Sequence, residues 1–119
     1  VILVAKINEV YQKIRNELEQ VLLSDGYKLK EYNIDEKSFG SQSVEYSCID
    51  DFVRFIWDGK EEWFVLQWSP VVKNGITSWG DIHLEKYNTR NNDENEIDEI
   101  IYLFKYSLMD FLGISSKEK

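Results

Sequence analysis

Little in this sequence invites covalent chemistry. It has one cysteine, Cys48, one proline, Pro70, and one histidine, His83, in 119 residues. A lone cysteine cannot form an internal disulfide, which fits a reducing compartment. CxxC pairs, HExxH, GxSxG and glycine-rich phosphate loops are all missing, so the sequence offers no signature of a zinc site, a serine hydrolase or a nucleotide pocket. Gly40 in Ser38-Phe39-Gly40-Ser41 stands alone and is not a phosphate loop. No apolar run approaches the length that spans a bilayer. The opening Val1-Ile2-Leu3-Val4-Ala5 has no basic region ahead of it and is too short for a signal-peptide core. The expected compartment is the cytoplasm.

Positive charge is also scarce. Against 22 Asp and Glu stand 14 Lys and Arg, a formal net charge of -8. Such a balance repels nucleic acid phosphates and anionic membranes, and attracts a basic partner. It also keeps a protein soluble, so a solvated acidic surface explains it equally well. The apolar fraction of 43% is enough for a core, and the length suits one domain over residues 1–119.

Hydrophobic spacing divides the chain into three parts. Ile7, Val10, Tyr11, Ile14, Leu18, Val21 and Leu22 recur at helical steps, and Gly26 sits where a helix ends. From about Tyr27 to Tyr87 the period falls to two. Strands are expected around Tyr27–Tyr32, over Val44, Tyr46 and Cys48, at Phe52–Trp57 after Asp50-Asp51, and at Glu62–Trp68, stopped by Pro70. Asp58-Gly59 predicts a hairpin turn with positive φ, and Asn74-Gly75 a second turn. The last strand, Asp81 to Tyr87, is expected to turn Ile82 and Leu84 inward. After a polar loop over Asn88–Asn92, Ile97, Ile100, Ile101, Phe104, Leu108, Phe111 and Leu112 repeat the helical stripe, with Asp93 or Asn95 as cap and Gly113 as closure. Ser115–Lys119 is expected to fray. The fold class is therefore α+β: an N-terminal helix, an antiparallel meander of four to five strands and a C-terminal helix, both helices on one sheet face.

Chemistry has few candidates. Asp81, His83 and Glu85 alternate on a strand, so all three should share its solvent-facing side. Imidazole and carboxylates are metal ligands, yet this spacing is wide and no second ligand cluster accompanies it. Cys48 beside His83 would make a nucleophile and base, but Cys48 shares the face of Val44 and Tyr46 and reads as core. Asp50-Asp51 and Glu61-Glu62 point their neighbours to opposite faces and do not converge on a substrate. Asp93, Glu94, Glu96, Asp98 and Glu99 could form a binding patch for a basic partner, but in the first turns of a helix each also offsets the dipole by about 0.3–1 kcal/mol, and that structural role is sufficient and preferred. No catalytic residue, metal ligand or cofactor is expected.

Tryptophan is the unusual abundance. Trp57, Trp63 and Trp68 fall in the central hairpin and Trp79 beyond it. A hairpin apolar on both sides needs two covers, and helices on one side leave the other for a partner. Glu62, Trp63, Asp81, His83 and Glu85 are the residues expected to meet it. Small size, acidity, the helix–meander–helix order and the segment Val53-Arg54-Phe55-Ile56-Trp57-Asp58-Gly59-Lys60-Glu61 together resemble small bacterial immunity proteins that neutralise polymorphic toxins. The resemblance implies a cytoplasmic antitoxin that binds a basic toxin and has no catalysis of its own. Two other readings stand beside it: a small-ligand domain or enzyme with a tryptophan-lined pocket approached by His83, and a homodimer or larger oligomer that hides the aromatic face against another copy.

Overall fold

Side chains at steps of three and four line up along one side of a helix, and burying that side is what holds a helix in place. Ile7, Val10, Tyr11, Ile14, Leu18 and Leu22 do so in α1 (Ile2–Ser24), and all six are buried. The computed structural model describes residues 2–35, 37, 40–49, 51–71, 78–90 and 93–114, with side chains from Lys6 onward. The Asn74-Gly75 turn, Asp50, Ser38, Phe39, Asn92 and the tail 115–119 lie outside these residues.

Both helices close by one device. Gly26 at φ 92 lets the Tyr27 N–H reach the Leu22 carbonyl at 3.0 Å, and Gly113 at φ 75 lets the Ile114 N–H reach Met109 at 2.8 Å. Each is a left-handed closure that a Cβ would strain. The second helix, α2 (Glu94–Leu112), starts at Asp93, whose side chain accepts from the Asn95 N–H at 3.0 Å.

Between them run β1 (Lys28–Asp35), β2 (Ser41–Ser47), β3 (Asp51–Asp58), β4 (Trp63–Pro70) and β5 (Gly80–Lys86), antiparallel and in chain order across one sheet. The α+β meander expected from hydrophobic spacing is therefore the fold, with five strands and β1 ending three residues beyond the expected Tyr32. Val44, Tyr46, Val53, Phe55, Trp57, Phe64 and Leu66 share one sheet face and are buried there with the helix stripes. Tyr11 stacks on Phe55 at 4.8 Å, and Phe104 meets the same ring edge-on at 5.4 Å. That pair of contacts puts α1 and α2 on the same side.

Three local expectations fail, each for a backbone reason. Asp58-Gly59 does not turn with positive φ. Asp58 instead accepts the N–H groups of Lys60 and Glu61 at 3.1 Å, its carbonyl takes the Glu62 N–H at 2.8 Å, and the positive φ falls on Glu62 at 59°. On β5 the register slips: Leu66 opposes His83 while Gln67 opposes Asp81, so Ile82 is a bulge. A bulge breaks the two-residue alternation. His83 and Glu85, opposite buried Leu66 and Phe64, therefore face the helices. Leu84, expected inside, lies opposite Val65 on the far face and is 42% exposed. Asp81 pairs with Gln67 on that far face, so the three polar residues do not share a side.

The tyrosines make the core sensitive to alkali. Burial holds the hydroxyls of Tyr11, Tyr27 and Tyr46 well above the usual tyrosine range, and lifts Tyr87 in the same direction. A group whose folded pKa is raised contributes stability that is complete below its unfolded pKa, near 10, and is lost as pH rises through the folded value. Unfolding titrations between neutral pH and about pH 12 should give a level stability up to about pH 10 and then a fall of about 1.4 kcal/mol per pH unit for each tyrosine still protonated. A stability that stays level above that point would contradict the buried hydroxyls. Tyr11→Phe removes the 2.8 Å hydrogen bond to the Phe55 carbonyl and should cost about 1–2 kcal/mol at neutral pH in the same titration.

Candidate functional site

Two surfaces remain once the core is accounted for. The first is the sheet face away from the helices. Residues opposite one another build rows across it. Ser43, Ile56, Val65 and Leu84 form one, and Glu45, Arg54, Gln67 and Asp81 the next. The polar row is wired internally: Arg54 Nε donates to Gln67 Oε1 at 2.7 Å, and Gln67 Nε2 donates to Asp81 Oδ1 at 2.8 Å. Its aromatic rings are capped by the chain's own cations. Arg54 lies 4.0 Å from the Trp79 ring, Lys30 4.8 Å from Phe52 and Lys86 5.4 Å from Trp63. Trp57 and Trp68 belong to the helix side, Trp57 buried and Trp68 against Phe111 at 5.5 Å. Of the hairpin tryptophans, Trp63 alone is on the face away from the helices. That face mixes both signs of charge, so it is not where the acidic excess sits.

The acidic excess gathers at the second surface, a groove of about 400 Å³ between β5 and the first half of α2. Glu85, Glu96, Glu99 and Asp93 stand around it, Ile100 and Leu103 form its apolar part, and Lys86 is its one lining cation. Helical spacing explains the arrangement. Glu96, Glu99, Ile100 and Leu103 follow at steps of three and four and so present one flank of α2. The bulge supplies the rest by turning Glu85 toward that flank. Glu94 is drawn elsewhere: Lys6 reaches it at 3.1 Å and Lys13 at 3.9 Å, tying α2 to α1. The hydrogen bond from Lys6 holds the Glu94 carboxyl below the usual range.

His83 is not part of the groove lining but contacts Glu85, which is. Its ring stands edge-on to Phe104 at 4.8 Å, and Nε2 is 3.3 Å from Glu85 Oε1. The contact is close but poorly aligned: Nε2 is buried and has no hydrogen-bond partner. Cys48 lies at the other end of the sheet, on the β2 side of β3 and β4, so the two cannot act as nucleophile and base. No group of three or more His, Cys, Asp or Glu residues among those described could hold a metal ion. The arrangement offers negative charge over an apolar floor, which suits a cationic side chain with an aliphatic stem.

The five residues expected to meet a partner are thus divided. Glu85 lines the groove, His83 faces the helices beside it against Phe104, and Trp63 and Asp81 lie on the opposite face. Glu62 ends the β3–β4 turn, where its carbonyl accepts the Tyr87 N–H at 3.0 Å and its carboxylate the Thr89 hydroxyl at 3.0 Å. It therefore anchors the segment linking β5 to α2. Glu96 and Glu99 come from the acidic cluster for which sequence alone favours a dipole role over a binding patch. Their spacing with Ile100 and Leu103 was the available signal.

A glutamate at positive φ carries backbone strain of about 1–2 kcal/mol. Glu62→Gly should relieve it and lose the Thr89 contact, so the two effects need separating. In a Thr89→Ala background, Glu62→Gly should raise stability by about 0.5–1 kcal/mol after the entropy of the unfolded glycine is deducted. A loss of stability in that background, by chemical denaturation, would mean that the turn is unstrained. Comparison with protein families, with curated proteins and with solved structures yields no match, so the reading of the site stands on its own geometry.

Proposed function

We propose that this chain is a protein-binding module without catalysis that neutralises a basic partner, as the immunity proteins it resembles neutralise toxins. The observation that carries the reading is the β5–α2 groove, where carboxylates from two elements surround an apolar floor. A lysine or arginine entering it would lay its methylene stem along Ile100 and Leu103 and bring its charge to Glu85, Glu96 and Glu99. The net charge of -8 supports the same partner from a distance by steering encounter. A cytoplasmic setting accompanies the reading. No helix among the described residues is long and apolar enough to cross a membrane.

The test uses the protein encoded beside this gene, expressed with and without this chain. Protection of growth and a complex whose association slows steeply with salt are the expected results. Replacing Glu85, Glu96 and Glu99 together by glutamine should slow association at low salt by about tenfold or more and change dissociation less. A partner that binds the triple variant as fast as the original chain, at every salt concentration, would remove the groove from the account.

A further inference from the structure

We propose that β1 joins two copies of this chain, each β1 lying antiparallel against the other so that two five-stranded sheets continue as one. The strand is an edge of the sheet, with β2 on one side, and all eight of its residues are exposed. Unpaired backbone groups along such an edge are a template for another strand. Leu29, Tyr32 and Ile34 lie opposite buried Tyr46, Val44 and Gln42 and so face the helix side. Yet Leu29 and Ile34 remain 51% exposed and Tyr32 37% exposed, although Arg15 of α1 lies 4.7 Å from the Tyr32 ring and Gln12 donates to its hydroxyl at 3.4 Å.

The occupant follows from the order of residues along the strand. A two-fold axis through Tyr32 sets Glu31 against Asn33. Lys30 is already the extra residue where the register against β2 shifts between Leu29 and Glu31. Carrying that bulge through sets Leu29 of one copy against Ile34 of the other, and Lys28 against Asp35. Apolar side chains then meet on the helix side, and opposite charges meet on the far side, each pair occurring twice by symmetry. Neighbouring registers lack this match. Moving the axis to Asn33 opposes Glu31 to Asp35, and moving it to Glu31 opposes that carboxylate to its own copy. A lysine projecting from an edge commonly deters such pairing, but Lys30 is folded back onto its own sheet, 2.8 Å from Glu45 and over the Phe52 ring. Pairing consumes the edge on both copies, so the assembly closes at two.

Sedimentation equilibrium of the purified full chain, from micromolar to millimolar concentration, tests this without any other protein. The mass should rise from 14.1 kDa toward twice that value. Lys28→Asp and Asp35→Lys each place like charges across the interface and should raise the midpoint concentration by about tenfold or more. The double variant K28D/D35K restores opposite charges and should return the midpoint toward its original value. Lys28→Asp leaves untouched the turn in which Asp35 accepts the Lys37 N–H at 3.1 Å, so it reports on pairing separately from folding. A mass of 14.1 kDa throughout, a dimer indifferent to both single changes, or a double variant no better than either single one would overturn the proposal.

Discussion

The contact between Tyr11 and Phe55 is the constraint on which the layers depend. Tyr11 of α1 both stacks on the middle strand, at 4.8 Å, and donates a hydrogen bond to its backbone, at 2.8 Å. A buried hydroxyl without a partner would cost about 1–3 kcal/mol, so the bond fixes where along β3 the helix can sit. Phe55 passes the constraint on. Its ring lies 5.8 Å from Phe64 and 5.4 Å from Phe104, which brings β4 and α2 to the same point. Four elements thus converge on one ring, and both helices are held to one sheet face.

Charge has been partitioned by that geometry. With both helices on one side, the far face of the sheet is left to its own polar residues, and it satisfies them. Arg54, Gln67 and Asp81 form a chain of hydrogen bonds, and three rings are capped by cations. Glu85, Glu96 and Glu99 stand around the groove, whose lining includes one cation, Lys86, the same residue that lies over Trp63. A formal charge of -8 spread evenly would be a weak signal. Gathered over an apolar floor, it raises the local concentration of a cationic group.

Periodicity made the large elements legible, because burying a stripe or a face demands one spacing for helices and another for strands. Ile7 to Leu22 and Ile97 to Leu112 could be read that way, as could the alternation of Val44 and Tyr46. What depended on a single residue's backbone could not. Asp58-Gly59 has the composition of a tight turn, but the Asp58 side chain captures two N–H groups and passes the positive φ to Glu62, a residue with no preference for it. The bulge at Ile82 has no compositional mark either. It inverts His83 and Glu85 relative to Asp81, and so moves two of the five expected partner-binding residues to the other side of the sheet. The span expected for β1 stops at Tyr32, although Asn33, Ile34 and Asp35 continue the apolar-polar alternation and were the signal for its last three residues.

An open sheet has two edges, and here they differ in kind. β1 carries Lys28 and Asp35 at opposite ends with apolar residues between, a distribution that matches itself when reversed. β5 borders the acidic groove and is interrupted by a bulge, a distribution that repels a second copy of the same edge. Strands spaced about 4.8 Å apart put the two edges about 19 Å from each other. That exceeds the screening length of about 8 Å at physiological ionic strength. Charge recruited at one edge therefore exerts little force at the other, and the aromatic core between them is close-packed rather than compliant. Self-association through β1 and capture of a cation beside β5 would accordingly be independent events, each governed by the residues of its own edge.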